Sequence, residues 1–355
     1  MEKVVYNNDD FISNYNYQKN ISTLNQKYYF ENIEFVEQFD NNIHLTIFLM
    51  KTVEDEQIIF KNCLFKEDFI FKNTFSNREI IFDECKFLKE FNVSSTKFKQ
   101  NVKFWDCTLS KANFNNTRFE KLADFWSTRF ISTTIFYKTD FLGTTVFSSA
   151  TFFKPVLFTY TLFEKDALFR GTYFFEGLDI SQAIKRGKFT FFDVTIKPFR
   201  SIKNTLDNEV YESYIRDKGI IPIINKRETF RIIKQAYENS SNFIDSVEFK
   251  KREHITFLKE NISNIFSGIK ILPSIQNIIL LFLNLISNYF GVSWFVSLLF
   301  IFFFGGLFFL NSIIQIPGYQ FTMNYNEWQW DNFKYFFEFL NPTHKVEYIQ
   351  KEKPK

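Results

Sequence analysis

Residues 114–130 read Phe114-Asn115-Asn116-Thr117-Arg118-Phe119-Glu120-Lys121-Leu122-Ala123-Asp124-Phe125-Trp126-Ser127-Thr128-Arg129-Phe130, and their spacing decides the fold. Phe recurs at steps of five and six, with a small residue (Thr117, Ala123, Thr128) two places before the next Phe. Every eleventh residue from Phe119 is again Phe: Phe130, Phe141, Phe152, Phe163 and Phe174. The series from Phe114 continues through Phe125, Phe136, Phe147, Phe158 and Phe169 to Ile180 and Phe191. Upstream the ladder runs Phe60, Phe65, Phe71, Phe82, Phe87, Val93, Phe98, Phe104 and Leu109. Two steps of five, Leu109 to Phe114 to Phe119, shift the register once. The small position repeats as Cys63, Thr74, Cys85, Thr96, Cys107, Thr117, Thr128, Thr139, Ala150, Thr161, Thr172 and Ala183.

A fixed period of this kind identifies a repeat architecture before any secondary structure is assigned. Five residues are too few for a helical repeat and fit one short extended segment plus a turn. An ordinary barrel of amphipathic strands gives no reason for a period held over about 130 residues. A solenoid does, because each inward Phe then rests on the Phe of the next coil while backbones pair about 4.8 Å apart. Cys63, Cys85 and Cys107 are 22 residues apart, so two elevens make a coil of four sides.

The small–x–Phe unit resembles the pentapeptide-repeat proteins, and specifically a bacterial subgroup built on Phe-centred units. Phe114-Asn115-Asn116-Thr117-Arg118-Phe119 and Phe125-Trp126-Ser127-Thr128-Arg129-Phe130 carry the likeness, which covers roughly Phe60 to Ile196. The resemblance implies a mostly β solenoid, a right-handed quadrilateral β-helix, over residues 60–196. Phe75 falls one residue early, and a loop or bulge between Phe75 and Ile81 would absorb it. Residues 1–59 contain Phe30 and Phe35 but lose the period, so they read as an irregular N-terminal cap closing the sheet edge.

Phe makes up 52 of 355 residues, Gly and Pro only 10 and 7, which excludes collagen-like and linker-like chains. A 45% apolar content excludes general disorder. Residues 60–196 carry 20 basic and 15 acidic groups, against an acidic, DNA-mimicking rod of the kind that inhibits topoisomerases. Residues 271–326 carry no Asp, Glu, Lys or Arg at all. The N-terminus lacks an apolar signal core, and three Cys fit a reduced compartment.

After Ile196 the period becomes helical. Phe230, Ile233 and Tyr237, then Phe243, Val247, Phe249, Ile255 and Leu258, predict a helical hairpin within a neck at 197–270. Its basic cluster, Lys250, Lys251, Arg252 and Lys259, is either a solvated face or an attraction to anionic lipid. Residues 271–318 form the membrane segment. Val292 to Leu310 reads as a C-terminal transmembrane helix, a single span with Trp294 at its interface. Ile275 to Ile286, interrupted by Gln276, Asn277 and Asn284, is an interfacial helix or a first span. Residues 319–355 hold an interfacial amphipathic helix around Trp330, Phe333, Phe337 and Leu340, with Trp328 nearby, and a tail. Residues 251–270 hold four Lys/Arg and 317–336 only Lys334, which orients the β-helix to the cytoplasmic side of a bacterial inner membrane. Arg227–Lys234, Asn288–Trp294 and Phe339–His344 also resemble membrane-attached pentapeptide-repeat proteins, some of which carry a second hydrophobic segment in an ion-channel-like arrangement.

No catalytic constellation emerges, and no enzyme is expected. His44, His254 and His344 are scattered, and Cys63, Cys85 and Cys107 share their slot with Thr and Ala, so packing outweighs metal binding. No cofactor and no nucleic-acid partner are expected. The expected function is a membrane-anchored scaffold with membrane lipid, an unidentified protein and a second copy of itself (a homo-oligomer) as candidate partners. The alternative is a channel or mechanosensing component, against which stand one confident span and no filter motif.

Overall fold

The computed structural model describes residues 3–21, 27–40, 57–203, 218–268, 270–314 and 330–341. The chain divides into two units, Met1–Glu260 and Asn261–Lys355.

The first unit is a β-solenoid of about six 22-residue turns. One coil shows the rule. Ala123–Asp124, Arg129–Phe130, Thr134–Ile135 and Asp140–Phe141 are two-residue strands, each paired in parallel with its counterpart one coil on. The partners are Ala123↔Thr145, Arg129↔Thr151, Thr134↔Val156 and Asp140↔Leu162, all offset by 22. The single register shift also falls where the two steps of five stand. Phe87 pairs with Leu109 at an offset of 22, Glu90 with Lys111 at 21, and Asn113 with Ile135 at 22 again.

Every Phe of the sequence ladder, from Phe60 to Phe174, is buried. Parallel pairing in register places identical side chains directly above one another, so rings stack face to face. The longest column runs Phe30, Phe60, Phe82, Phe104, Phe125, Phe147, Phe169 and Phe191, with centroids 5.0–5.3 Å apart. Rings of neighbouring columns meet edge-on, as Phe136 meets Phe147 at 73°. The core is a lattice of stacked and T-shaped contacts.

The small position does more than save space. It follows a corner residue held at positive φ, as at Asn62, Asp106, Asn116, Ser127, Lys138 and Ser149. For a residue with a Cβ this conformation costs roughly 1–2 kcal/mol, so the corner needs compensation. The next side chain supplies it by donating to a corner carbonyl one coil earlier. Thr117 Oγ1 donates to Val93 O at 2.8 Å, Thr128 Oγ1 to Phe104 O at 2.6 Å and Thr139 Oγ1 to Phe114 O at 2.7 Å. Cys63, Cys85 and Cys107 do the same through sulfur, to Phe30, Phe60 and Phe82 carbonyls at 3.2–3.3 Å. On another corner the backbones of adjacent coils nearly touch: a Cβ on Gly143 would lie 2.2 Å from Lys121 O.

The N-terminal region is more regular than its sequence suggests. Lys27–Glu31 pairs with Gln57–Lys61, Ile33–Phe35 with Leu64–Phe65 and Phe39–Asp40 with Phe69–Ile70. These pairs lie 30 residues apart, so the loss of period reflects a longer first coil; residues 41–56 lie outside the described residues. The edge is closed by the helix α1, Asn8–Ile21, whose Phe11 packs on Phe30 at 4.6 Å. Phe75 needs no bulge. The offset stays at 22 (Phe75↔Lys97, Ser76↔Phe98), so Phe75 points outward under Lys99 and Ser76 takes the inward place. Two residues on, Arg78 is buried, its guanidinium 4.9 Å from the Tyr28 ring and bonded to Tyr15 Oη at 3.0 Å.

At the other end, α2 (Ile223–Asn239) and α3 (Phe243–Phe266) cover the last coil. Their mutual contacts run in opposite sequence order, Lys234 with Glu253 and Arg227 with Glu260, each at 2.8 Å. Phe230, Ile233, Tyr237 and Phe249 join the solenoid core. The exposed sheet carbonyls are taken up: Tyr237 Oη donates to Phe191 O, and Arg252 Nη1 to Ile196 O at 2.9 Å. Buried Asp179 accepts from Asn225 Nδ2 at 2.8 Å and from Ser181, and burial raises its pKa above the usual carboxylate value.

Among the described residues the second unit holds the apolar or amphipathic helices α4 (Ile271–Asn288), α5 (Trp294–Ile314) and α6 (Trp330–Leu340). A three-residue 3-10 turn, Tyr289–Gly291, links α4 to α5.

The stacked column sets a stability expectation. Phe147 is fully buried between Phe125 and Phe169, so Phe147→Ala should cost about 3–5 kcal/mol. Glu164→Ala, which removes only an exposed ion pair to Arg186, should cost less than about 1 kcal/mol. Urea unfolding followed by far-UV circular dichroism checks both, and equal midpoints would contradict the column's role.

Candidate membrane segment

Two helices, α4 with its following turn (Ile271–Gly291) and α5 (Trp294–Ser312), are long and apolar enough to cross a membrane. The sequence reading counted one such span. The shorter reading of Ile275 to Ile286 weighed Gln276, Asn277 and Asn284 as interruptions, but the helix extends past them at both ends.

Among the exposed residues of α4 only Gln276 is polar. Ser274 is buried, and Asn277 Nδ2 donates to Asn261 Oδ1 at 3.1 Å. Its outer side shows Leu272, Ile275, Ile279, Leu280, Phe282 and Leu283, all exposed. On α5 the exposed residues include Trp294, Phe295, Leu299, Ile301, Phe303, Leu307 and Phe308. A water-soluble protein buries such side chains; contiguous apolar surface of this extent marks a membrane or protein contact. Hydroxyls of α5 find partners within the helix, as a hydrocarbon solvent requires. Ser297 Oγ donates to Ser293 O at 3.3 Å and Ser312 Oγ to Phe308 O at 2.9 Å.

Among the Trp residues expected at the interface, Trp294 opens α5 and is largely exposed, Trp330 opens α6, and Trp328 lies outside the described residues. In the structure α6 packs on α5: Phe336 and Phe337 face Phe302 at 5.9 and 6.1 Å, and Phe339 faces Phe309 at 5.7 Å. Gly305 lets α6 come close: a Cβ there would lie 2.4 Å from Leu340 Cδ2, and that side chain would have to move aside.

The basic cluster of the neck is partly consumed by the fold. Arg252 bonds Ile196 O and Glu248, and Lys251 pairs with Glu248 at 3.5 Å. Lys250 and Lys259 remain exposed.

The outer faces of the solenoid are mixed in sign and lightly aromatic. Along one ladder Lys97 pairs with Glu120 at 2.9 Å, Arg118 with Asp140 at 3.4 Å and Arg186 with Glu164 at 2.9 Å. On another, Phe153 and Phe175 stack outward at 5.2 Å, with the Arg129 guanidinium over Phe153 at 5.2 Å. This outer pair escaped the periodic reading, which followed only inward positions.

Among the described residues no group of three or more His, Cys, Asp or Glu is placed to hold a metal ion. His254 stands on α3 and burial lowers its pKa; His44 and His344 lie outside the described residues. The cysteines are fully buried. The adjacent Cys85 thiol and burial push the Cys63 pKa up, and burial raises that of Cys85 well above its ordinary value. Comparison of the chain with protein-family models, with curated proteins and with solved structures returns no match.

Thiolate is the reactive form, so the burial of all three thiols, with the raised pKa values of Cys63 and Cys85, makes them inert. At pH 8, iodoacetamide should leave Cys63, Cys85 and Cys107 unmodified in the folded protein and alkylate all three in guanidinium. Mass spectrometry of both samples reads the result, and rapid native labelling of Cys85 would contradict a closed core.

Proposed function

We propose that this chain is a membrane-anchored pentapeptide-repeat scaffold of a bacterial inner membrane. Its solenoid, a right-handed quadrilateral β-helix, stands on the cytoplasmic side and offers flat faces to a protein partner. The observation that carries the reading is the exposed surface of α4 and α5, apolar except at Gln276 and Asn311 among their described side chains, in a chain whose solenoid spends its inward positions on packing. An outer surface of alternating charge with an aromatic pair suits protein contact better than the binding of a polyanion.

A second reading gains from one observation. Two apolar helices per chain supply part of what a pore needs, and the sequence reading had credited only one. Against it, α4 and α5 contain no charged residue that could select an ion. Purified protein in planar bilayers should therefore give no unitary currents, and reproducible selective currents would promote the channel.

Anchoring has a direct test. The full chain should stay in the pellet when membranes are washed with alkaline carbonate, and a variant ending at Lys270 should move to the supernatant. Release of the full chain would defeat the membrane reading.

A further inference from the structure

We infer that α4 and α5 both cross the bilayer, as a hairpin whose turn at Tyr289–Gly291 lies on the opposite side from Lys270 and from the chain following Ile314. The inference rests on the membrane reading above and adds the number and direction of the crossings.

Length allows two crossings. At a rise of about 1.5 Å per residue, the 18 residues of α4 and the 21 of α5 extend roughly 27 and 32 Å. A hydrocarbon core is about 30 Å thick. The link then dictates direction. It is one 3-10 turn, with Tyr289, Phe290 and Gly291 at φ of 51°, 60° and 84°. A connection this short joins two long helices as antiparallel neighbours, and α4 and α5 do contact each other.

The turn itself is built for passage. It contains no charge, and its backbone donors are supplied locally. Gly291 N donates to Asn288 Oδ1 at 2.8 Å, Ser293 N to Asn288 O at 3.3 Å and Val296 N to Ser293 Oγ at 3.3 Å. Carrying it through a bilayer exposes few unpaired polar groups to hydrocarbon.

The orientation of α4 argues against an interfacial placement. An interfacial helix needs its polar side in water. Here Ser274 is buried and Asn277 is bonded to Asn261, while the outward side is Leu272, Ile275, Ile279, Leu280, Phe282 and Leu283. Gln276 is the one polar residue among those exposed on α4, too little to make a polar side for the aqueous phase.

Charge decides between one crossing and two. Lys251, Arg252, Lys259 and Lys270 precede α4, and Lys345, Lys351, Lys353 and Lys355 follow α6 in the sequence. One crossing sets these two basic groups on opposite sides, where they compete as orienting signals. Two crossings gather them on one side, as the bias of Lys and Arg toward the cytoplasm requires.

Cysteine accessibility tests the topology, because the native thiols are buried and serve as silent background. Ser263→Cys, Val292→Cys and Thr322→Cys report the entry, the turn and the exit of the hairpin. Each full-length variant is treated with a membrane-impermeant maleimide in right-side-out and in inverted vesicles. The expected result is labelling of positions 263 and 322 from the same side and of 292 only from the other. Labelling of 292 together with 263 means that α4 does not cross, and labelling of 322 opposite 263 means a single crossing; either overturns the hairpin. Position 292 shielded from both sides means a re-entrant loop, which overturns it equally. Carbonate extraction of the same vesicles separates the two levels: a variant lost to the supernatant counts against the membrane reading, one retained but mislabelled only against the hairpin.

Discussion

Ring on ring is the contact from which the rest of the solenoid follows. A parallel, in-register ladder obliges each side chain to meet its own equivalent one coil away. Charged groups facing inward under that constraint would repel, and branched aliphatic ones would interlock less regularly. Phenylalanine satisfies it by offset stacking at 5.0–5.3 Å along the longest column. Edge-on contacts between columns then fill the corners, as Phe114 does against Phe125 at 85°. Stability of this kind is close to a sum of coil-to-coil terms.

A column that stacks indefinitely needs an end, and each end is made differently. The N-terminal end replaces the repeating ring by polar atoms held under aromatic cover, with Arg78 between Tyr15 and Tyr28. The C-terminal end uses helices to satisfy carbonyls that the next coil would have taken, through Tyr237 and Arg252. Asp179 and Asn225 tie the last coils to α2.

The repeat was legible because a solenoid writes its geometry as a period. Even the one-residue shortening near Lys111 could be read from two steps of five. Three features were not legible. The first coil hid because a 30-residue step between Phe30 and Phe60 breaks the count without breaking the pairing. Thr at the small position looked like a matter of size, since a hydrogen bond to a carbonyl 24 or 25 residues back leaves no local trace. In α4, composition showed Gln276, Asn277 and Asn284 as interruptions, and only the fold reveals that Asn277 is bonded to Asn261 while Gln276 stays exposed. Of the functional surface, the apolar segment was plain in the sequence and its polarity was not.

Closure at both ends has a further meaning. A β-solenoid with a bare end is a template for adding strands without limit. With α1 over one end and α2 and α3 over the other, this one is a rod of set height, about six turns at roughly 4.8 Å each, or near 29 Å. Such a rod can hold two bound objects a constant distance apart, and its height changes only in whole coils. Excision of the 22 residues 145–166 would put Ala167 in the place of Thr145, in register with Ala123, shortening the spacer by one step and leaving both closures intact. The molecule therefore carries its own unit of length.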